Sequence, residues 1–422
     1  MKKLKKVLAL LLLAALLSAL LLPLSSCGEP TEKLYLYNWG EYMPLGTDGS
    51  ENVLELFEAY YEETYGKKIE VVYSIFSSNE EMYAKLQNGS SKIDLVIPSD
   101  YMVERLIAED RLAPLHYENI PHYDNIAEKY RDFYYDRGGL YSVPYTVSYV
   151  GLIYDVSIED EITDENGDIS WRCLWDPRFA GRILNFNNSR DAFGIAQYIL
   201  SYENGCTTPE DNYVNTTDPA RWDAALALLQ EQKPLVQAYV MDEVFNKMES
   251  GAAVLAPYYV GDFYTMQEEN EDLRFAYPKE GTNLFGDALC IPKNAQNQTA
   301  AERFIDFTLM TDAVIDGESY NIAKEIAEYI CYGTPNRAVL EDEEYEFFED
   351  ELLYPEEDAF TRYFFHNLDP DTLNYQNSLW EQLKIESSGD LAIYITAGAI
   401  VGVLAAISVF LYVRRKKRER FY

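Results

Sequence analysis

Apolar and polar positions alternate strictly where the body of the chain begins. In LYLYNW, residues 34–39, Leu34, Leu36 and Asn38 alternate with Tyr35, Tyr37 and Trp39. A period of two predicts a strand. It ends at Gly40, and Glu41 and Tyr42 follow at once. The spacing over 53–65 predicts a helix, KIEVVYSIF (68–76) a second strand and 80–87 a short helix. IDLVIPSDYMVERL (93–106) repeats the opening: a strand, a turn with Ser99, Asp100 and Tyr101, then a helix. Residues 139–155 read as a long β-rich stretch. RILNFNNSRDAFGIAQYIL (182–200) predicts a strand, a polar turn at 187–191 and a helix, and WDAALALLQEQ (222–232) is helical. GAAVLAPYYVGDFYTM (251–266) reads as a strand running into Asp262, DALCIPKNA (287–295) as a strand and AAERFIDFTLM (300–310) as a helix. Helices alternating with apolar strands predict a mainly parallel α/β arrangement.

Aromatic and acidic residues recur at the predicted strand ends. Trp39 with Tyr42, Ser99 with Tyr101, Asn188 with Asp191, Tyr259 with Asp262, and Phe285 with Asp287 all fall there. In open α/β sheets the ligand crevice lies beyond the carboxyl ends of the strands. One such pair is ordinary packing; five predict a cleft lined by aromatics and acids.

Both ends of the chain carry membrane signals. Lys2, Lys3, Lys5 and Lys6 precede an apolar run over 7–24, and Leu24-Ser25-Ser26-Cys27 follows. A basic start, an apolar core and small residues before a cut site make a secretory signal. LSSC resembles the bacterial lipobox, which would make Cys27 the lipidated first residue; a signal anchor with an incidental cysteine is the alternative. Residues 391–413 are apolar or small with few polar points, long enough for the ~20-residue span of a hydrocarbon core. RRKKRER, 414–420, then marks the cytoplasmic side. Gly398 and Gly402 form a G-x-x-x-G pattern that can bring two spans together.

Charge narrows the ligand. The chain carries a formal −36; setting aside the ten basic residues and one acid of the two ends leaves 25 basic and 70 acidic residues, a body charge of −45. Such a surface argues strongly against nucleic acid, whose phosphates need Lys and Arg, and suits a cation; a generally acidic surface that serves solubility is the alternative. The length of the body predicts two lobes, and with 48% hydrophobic content and 36 Tyr the charge does not imply disorder. Apart from Cys27, Cys173, Cys206, Cys290 and Cys331 show no C-x-x-C, so no zinc site is expected. His116, His122 and His366 form no H-E-x-x-H, and G-x-S-x-G is absent, which leaves hydrolytic chemistry without a nucleophile and base. No metal and no cofactor are expected, and the chain does not read as an enzyme.

The motifs LYLYNWGEYM, EEMYAKL, DLVIPSDYMVERL, YSVPY, CLWDPRFAGRI, MESGAA, YPKEGT, LFGDALCIPKNAQN and YGTPN occur in this order. From about residue 34 to 383 the chain resembles the spermidine/putrescine-binding subunit of bacterial polyamine ABC importers. The resemblance implies a two-lobed, type II periplasmic-binding-protein-like fold with an inter-lobe cleft, to which the sequence adds one C-terminal transmembrane helix. It implies one lobe of 34–149 with 288–330 and a second of 150–287 with 331–385; the residues themselves predict a signal peptide at 1–26, a lipidated tether at 27–33, a linker at 386–390, the span at 391–413, which departs from the family, and a basic tail at 414–422. The chain would cross between lobes near Tyr149 and again near 287–290.

The resemblance also implies site residues. Trp39, Tyr42 and Glu41 match the contacts after the first strand, and Ser99 and Tyr101 the PS-x-Y contacts. Asp191 matches an acid that receives an amine, and Asp262 an acid of putrescine-preferring members. Asp287 matches the principal ammonium-binding carboxylate, and Tyr332 the tyrosine before TPN. Tyr259 and Phe285 stand where the family usually has Trp. Asn188 stands where spermidine-preferring members have Asp, which counts against spermidine. The region around His366 receives no assignment. The chemistry fits a polyamine: carboxylates accept from its ammonium groups, each such bond contributing roughly 1.5–3 kcal/mol, while aromatic faces cover methylenes and attract the cation. A cation in the pocket would repel the ligand, so Arg190 is expected to point away or pair with an acid. The partners implied are a polyamine, ABC permease subunits, and the membrane through lipid and span. The alternatives are the same fold binding a sugar, an amino acid or ferric ion, or a signalling ectodomain.

Overall fold

Strand β1, Glu32–Trp39, keeps the alternation of its sequence, with Leu34 and Leu36 buried on one face. Helix α1, Val53–Tyr65, starts where the Asn52 side chain accepts from the Glu55 amide and stops at Gly66 in the left-handed region (φ 69). Its buried Val53, Phe57 and Tyr61 recur every four residues and so share the face turned to the core. Strand β2, Ile69–Phe76, pairs with β1 in parallel along its whole length. Helix α2, Asn79–Asn88, follows, and β3, Leu95–Val96, pairs with the other edge of β1, again in parallel. Helix α3, Asp100–Ala108, returns over the sheet. The structure, a computed structural model, describes residues 31–47, 49–89, 91–208 and 211–385.

Strand β4, Ser142–Asp155, is buried over nearly all of its 14 residues. A strand with an unbroken buried run has both faces covered. Beyond it come β5 (Ile183–Phe186), α4 (Ser189–Glu203), α5 (Pro219–Gln232), β6 (Val236–Val240), α6 (Glu243–Glu249), β7 (Leu255–Tyr259), α7 (Val260–Glu269) and β8 (Leu273–Ala276). Strand β9, Thr282–Cys290, then runs back beside β4, and α8 (Gln298–Thr308) and α9 (Ile322–Ile330) follow. The sheet order is β2-β1-β3-β9-β4-β7-β5-β6. The first half of β4, from Ser142 to Tyr149, pairs antiparallel with β9, and its second half, Val150 to Tyr154, with β7. Two parallel sheets are thus joined through two long strands, the two-lobed architecture.

Four details differ from the sequence reading. The sheet is mixed rather than mainly parallel, because a chain that passes from one half to the other and back must run in both directions. The turn expected at 187–191 ends at Asn188, whose side chain accepts from the Asp191 amide at 2.8 Å and starts α4 at Ser189. Asp262 sits in the first turn of α7 and not at the end of a strand. Phe285 and Asp287 lie inside β9, which begins five residues before DALCIPKNA, at Thr282. Cys173, Cys206, Cys290 and Cys331 are free thiols. The expectations for 1–26, Cys27, 386–390, 391–413 and 414–422 lie outside the described residues. Among the described residues, no helix is long and apolar enough to cross a membrane.

Candidate functional site

Strand ends and crossing strands converge on one cavity of about 820 Å³ between the two halves. Trp39 closes β1, Ser99 and Tyr101 follow β3, Asn188 and Asp191 follow β5, and Tyr259 closes β7. Phe285 and Asp287 project from β9, Asp262 from the start of α7, and Tyr332 from the turn after α9. Glu41, at φ 47, stands at the exposed rim beside Tyr42 and accepts from the Tyr329 hydroxyl at 3.2 Å. Every candidate read from the sequence therefore lines the same cavity.

The aromatic rings form a continuous wall. Tyr259 meets Phe285 edge-on at 5.4 Å between centroids, Phe285 meets Tyr332 at 6.1 Å, and Tyr332 meets Tyr42 at 5.4 Å. Edge-to-face contacts at such distances fix ring orientation. One glycine permits the arrangement: a Cβ on Gly261 would stand 1.7 Å from Cδ1 of Tyr332, so the ring lies flat against the first turn of α7. Trp39 is held by its indole N–H donating to Ile97 O at 2.8 Å, with Phe76 packed on it at 4.4 Å.

Three inner carboxylates are each tied to one of these rings. The Tyr42 hydroxyl donates to Asp287 Oδ2 at 2.8 Å and lies 2.6 Å from Thr146 Oγ1. The Tyr259 hydroxyl reaches Asp191 Oδ2 at 3.1 Å, and Asn188 Nδ2 donates to the same oxygen at 2.7 Å. The Tyr332 hydroxyl donates to Asp262 Oδ2 at 2.6 Å. Burial is the main influence on all three: it pushes Asp191 and Asp287 up to about 6 and Asp262 up to about 7, against the pull of these donors. Removal from water disfavours the charged form of an acid. Among the described residues, Asp191 alone of the three feels a nearby cation, the guanidinium of Arg190, which lowers it from outside the cavity lining.

Among the described residues, eleven carboxylates line the cavity and no Lys, Arg or His does. Arg190 is buried and points away, its guanidinium donating to Val214 O (3.1 Å), Asn215 Oδ1 (2.7 Å) and His366 O (3.2 Å) and lying 4.4 Å from the Phe365 ring centre. Its two terminal nitrogens bond carbonyl and amide oxygens instead of an acid, and its Nε has no partner among the described residues.

Several lining residues escaped the sequence reading. Phe365 forms part of the wall near Tyr101, with 6.4 Å between centroids. It comes from a stretch without periodicity. Glu80 accepts from the Tyr101 hydroxyl at 3.1 Å, and Asn79 Oδ1 from the Ser99 amide at 3.2 Å. Their only signal was a position at the start of a helix following a strand, the place Asn188 and Ser99 also occupy.

Two α/β halves joined by crossing strands around a deep, acid- and aromatic-lined cleft define a two-lobed solute-binding protein. The family model for bacterial extracellular solute-binding proteins matches residues 90–316. The spermidine/putrescine-binding periplasmic protein of Salmonella typhimurium is 30% identical over 375 residues, 88% of this chain and 97% of that protein. The putrescine/cadaverine-binding protein of Pseudomonas aeruginosa is 30% identical over 335 residues, 77% and 85% of the two chains. A solved chain from Listeria monocytogenes, described as a candidate spermidine/putrescine ABC transporter, superposes with a TM-score of 0.71 at 31% identity, over 84% of this chain and 99% of that one. The chain belongs to the bacterial extracellular solute-binding proteins, in the branch of the spermidine/putrescine-binding subunits of ABC importers.

Proposed function

We propose that this protein captures a polyamine, putrescine or spermidine, in the inter-lobe cleft outside the cytoplasm and delivers it to an ABC importer, without chemical turnover. The observation that carries this reading is the cavity lining: many carboxylates, a wall of rings and no basic side chain among the described residues. A polyamine supplies the missing positive charges at fixed spacing and a methylene chain for the rings. In this reading Asp287, Asp191 and Asp262 accept from ammonium groups. Trp39, Tyr42, Tyr101, Tyr259, Phe285 and Tyr332 enclose the chain, while Ser99, Asn188 and Glu41 orient its ends. An Asp at 262 together with Asn at 188 favours the shorter putrescine. The lobes, 34–149 with 288–330 and 150–287 with 331–385, close on the ligand as a hinged clamp.

The same proposal gives the protein two anchors: lipid on Cys27 and a span at 391–413 with its basic tail in the cytoplasm. Both tethers hold the cleft near the permease. Cys27→Ala and a chain ending at 390 test this by membrane fractionation and by uptake at low polyamine concentration; unchanged fractionation and uptake in both would remove the anchors from the account. For the cleft, Trp39→Ala and Asp287→Ala are expected to weaken polyamine affinity roughly ten-fold or more each, from lost cation–π contact and a lost charged hydrogen bond. Wild-type affinity in both variants would sink the assignment.

A further inference from the structure

Two acids approach one rim of the cleft from opposite halves of the molecule. Glu80 lies in the first turn of α2, on the half built around β1 to β3, and Asp191 in the first turn of α4, on the half built around β5 to β7. Both line the cavity, Glu80 exposed and Asp191 partly so. Tyr101 links them. Its hydroxyl donates to Glu80 Oε1 at 3.1 Å, and after burial the charges of Glu80 and then Asp191 are what raise it. Asn79 Oδ1 accepts from the Ser99 amide at 3.2 Å, which fixes the start of α2 against the start of α3 and so holds Glu80 beside Tyr101.

Each acid has an oxygen to spare. Asp191 takes both of its donors, Asn188 Nδ2 at 2.7 Å and the Tyr259 hydroxyl at 3.1 Å, on Oδ2, and Oδ1 takes none among the described residues. Glu80 uses Oε1 alone among the described residues. Its neighbour Glu81 differs: Glu81 Oε2 accepts from the Ser77 amide at 3.0 Å and the Ser77 hydroxyl at 2.7 Å, and these bonds hold its carboxylate below the usual range. The charge of Glu81 is committed to its own turn, and that of Glu80 is not. Burial is the main influence raising Asp191, and the charge of Glu80 adds to it across the cleft, as like charges do.

We infer that Glu80 is a further ligand-binding residue, which shares one ammonium group of the ligand with Asp191 across the cleft. This seat rests on the polyamine reading and deepens it by naming an acid from the opposite half. A primary ammonium carries three N–H donors and so serves both carboxylates. Without a cation the two acids push the halves apart; with one between them the halves are drawn together, so ligand entry itself favours closure.

The test is calorimetric titration of the full chain in detergent with putrescine and spermidine, comparing wild type, Glu80→Gln and Glu81→Gln. Glutamine keeps an acceptor for the Tyr101 hydroxyl and removes only the charge, and the exposure of Glu80 lets the variant fold. The expected result is a loss of about five-fold or more in Glu80→Gln, the upper range for an exposed ion pair, and of less than about two-fold in Glu81→Gln. Wild-type affinity in Glu80→Gln overturns the inference. Equal losses in the two variants also overturn it, since they mark a general charge effect. The crystal structure of the putrescine complex decides the geometry independently: one ligand nitrogen is expected within about 3.2 Å of both carboxylates, and a nitrogen that reaches only one of them overturns the shared seat. Wild-type protein that binds neither polyamine overturns the polyamine reading itself and the seat with it.

Discussion

Ligand capture should release protons and weaken steeply with acid. Asp191 and Asp287 are raised to about 6 and Asp262 to about 7, burial being the first cause in each. A carboxylate must be ionised to hold an ammonium ion, so the bound state favours the charged forms. At pH 7 the empty cleft holds roughly half a proton on Asp262 and about a tenth each on Asp191 and Asp287, so binding that engages all three expels about 0.7 proton. Between pH 7 and pH 5 the affinity should fall about 100-fold if only Asp191 and Asp287 must ionise, and several thousand-fold, roughly, if Asp262 must as well. Titration calorimetry in two buffers of different ionisation enthalpy measures the proton count, and the same titration across pH 5 to 7 measures the slope. Stability of the empty protein should run the other way. Acids with raised folded-state values contribute stability that is complete below the unfolded value near 3.9 and is lost as pH rises through about 6 to 7. The ligand-free protein should therefore gain from these three groups on mild acidification while the ligand binds less well. A polyamine affinity changing less than about three-fold between pH 5 and 7 would refute the claim that these buried acids take up the ligand's charge.

Gly261→Ala should displace the Tyr332 ring, since the new methyl would stand 1.7 Å from it; a loss of affinity of about ten-fold with about 1–3 kcal/mol of stability is expected, by titration and thermal melting. Tyr332→Phe removes the hydroxyl that donates to Asp262 at 2.6 Å. That change should move the acid limb of the binding curve to higher pH, and an unmoved limb would dissociate Asp262 from the ligand. Arg190→Met leaves the carbonyls of Val214 and His366 without their donor and should cost about 1–3 kcal/mol of stability, seen as a lower melting temperature.

The sequence announced much of this architecture, for identifiable reasons. The helix expected over 53–65 matches Val53–Tyr65, because a clear apolar period, an Asn cap and a terminal Gly all agree. The pairs of aromatics and acids lay at the ends of short apolar runs, and the topology gathers them because parallel strands end on the same edge. Asp262 was misplaced by three residues of context: VGD after PYY prolongs a strand pattern, but the Val260 to Glu269 segment closes its own hydrogen bonds as a helix. The antiparallel crossing of β4 and β9 was not legible, because a strand buried on both faces has no alternation to reveal its direction. Phe365 was hidden for a related reason: the stretch around it is irregular, so nothing in its spacing connects it to Tyr101.

The most direct measurement is titration of the full chain in detergent with putrescine, cadaverine, spermidine and spermine, with a neutral sugar, an amino acid and ferric citrate as controls. Saturable binding of at least one polyamine, with none of the controls binding, is the result the cleft chemistry requires. Saturation by a control while every polyamine fails would contradict it, and the roles given to Trp39, Asp191, Asp262 and Asp287 would fall.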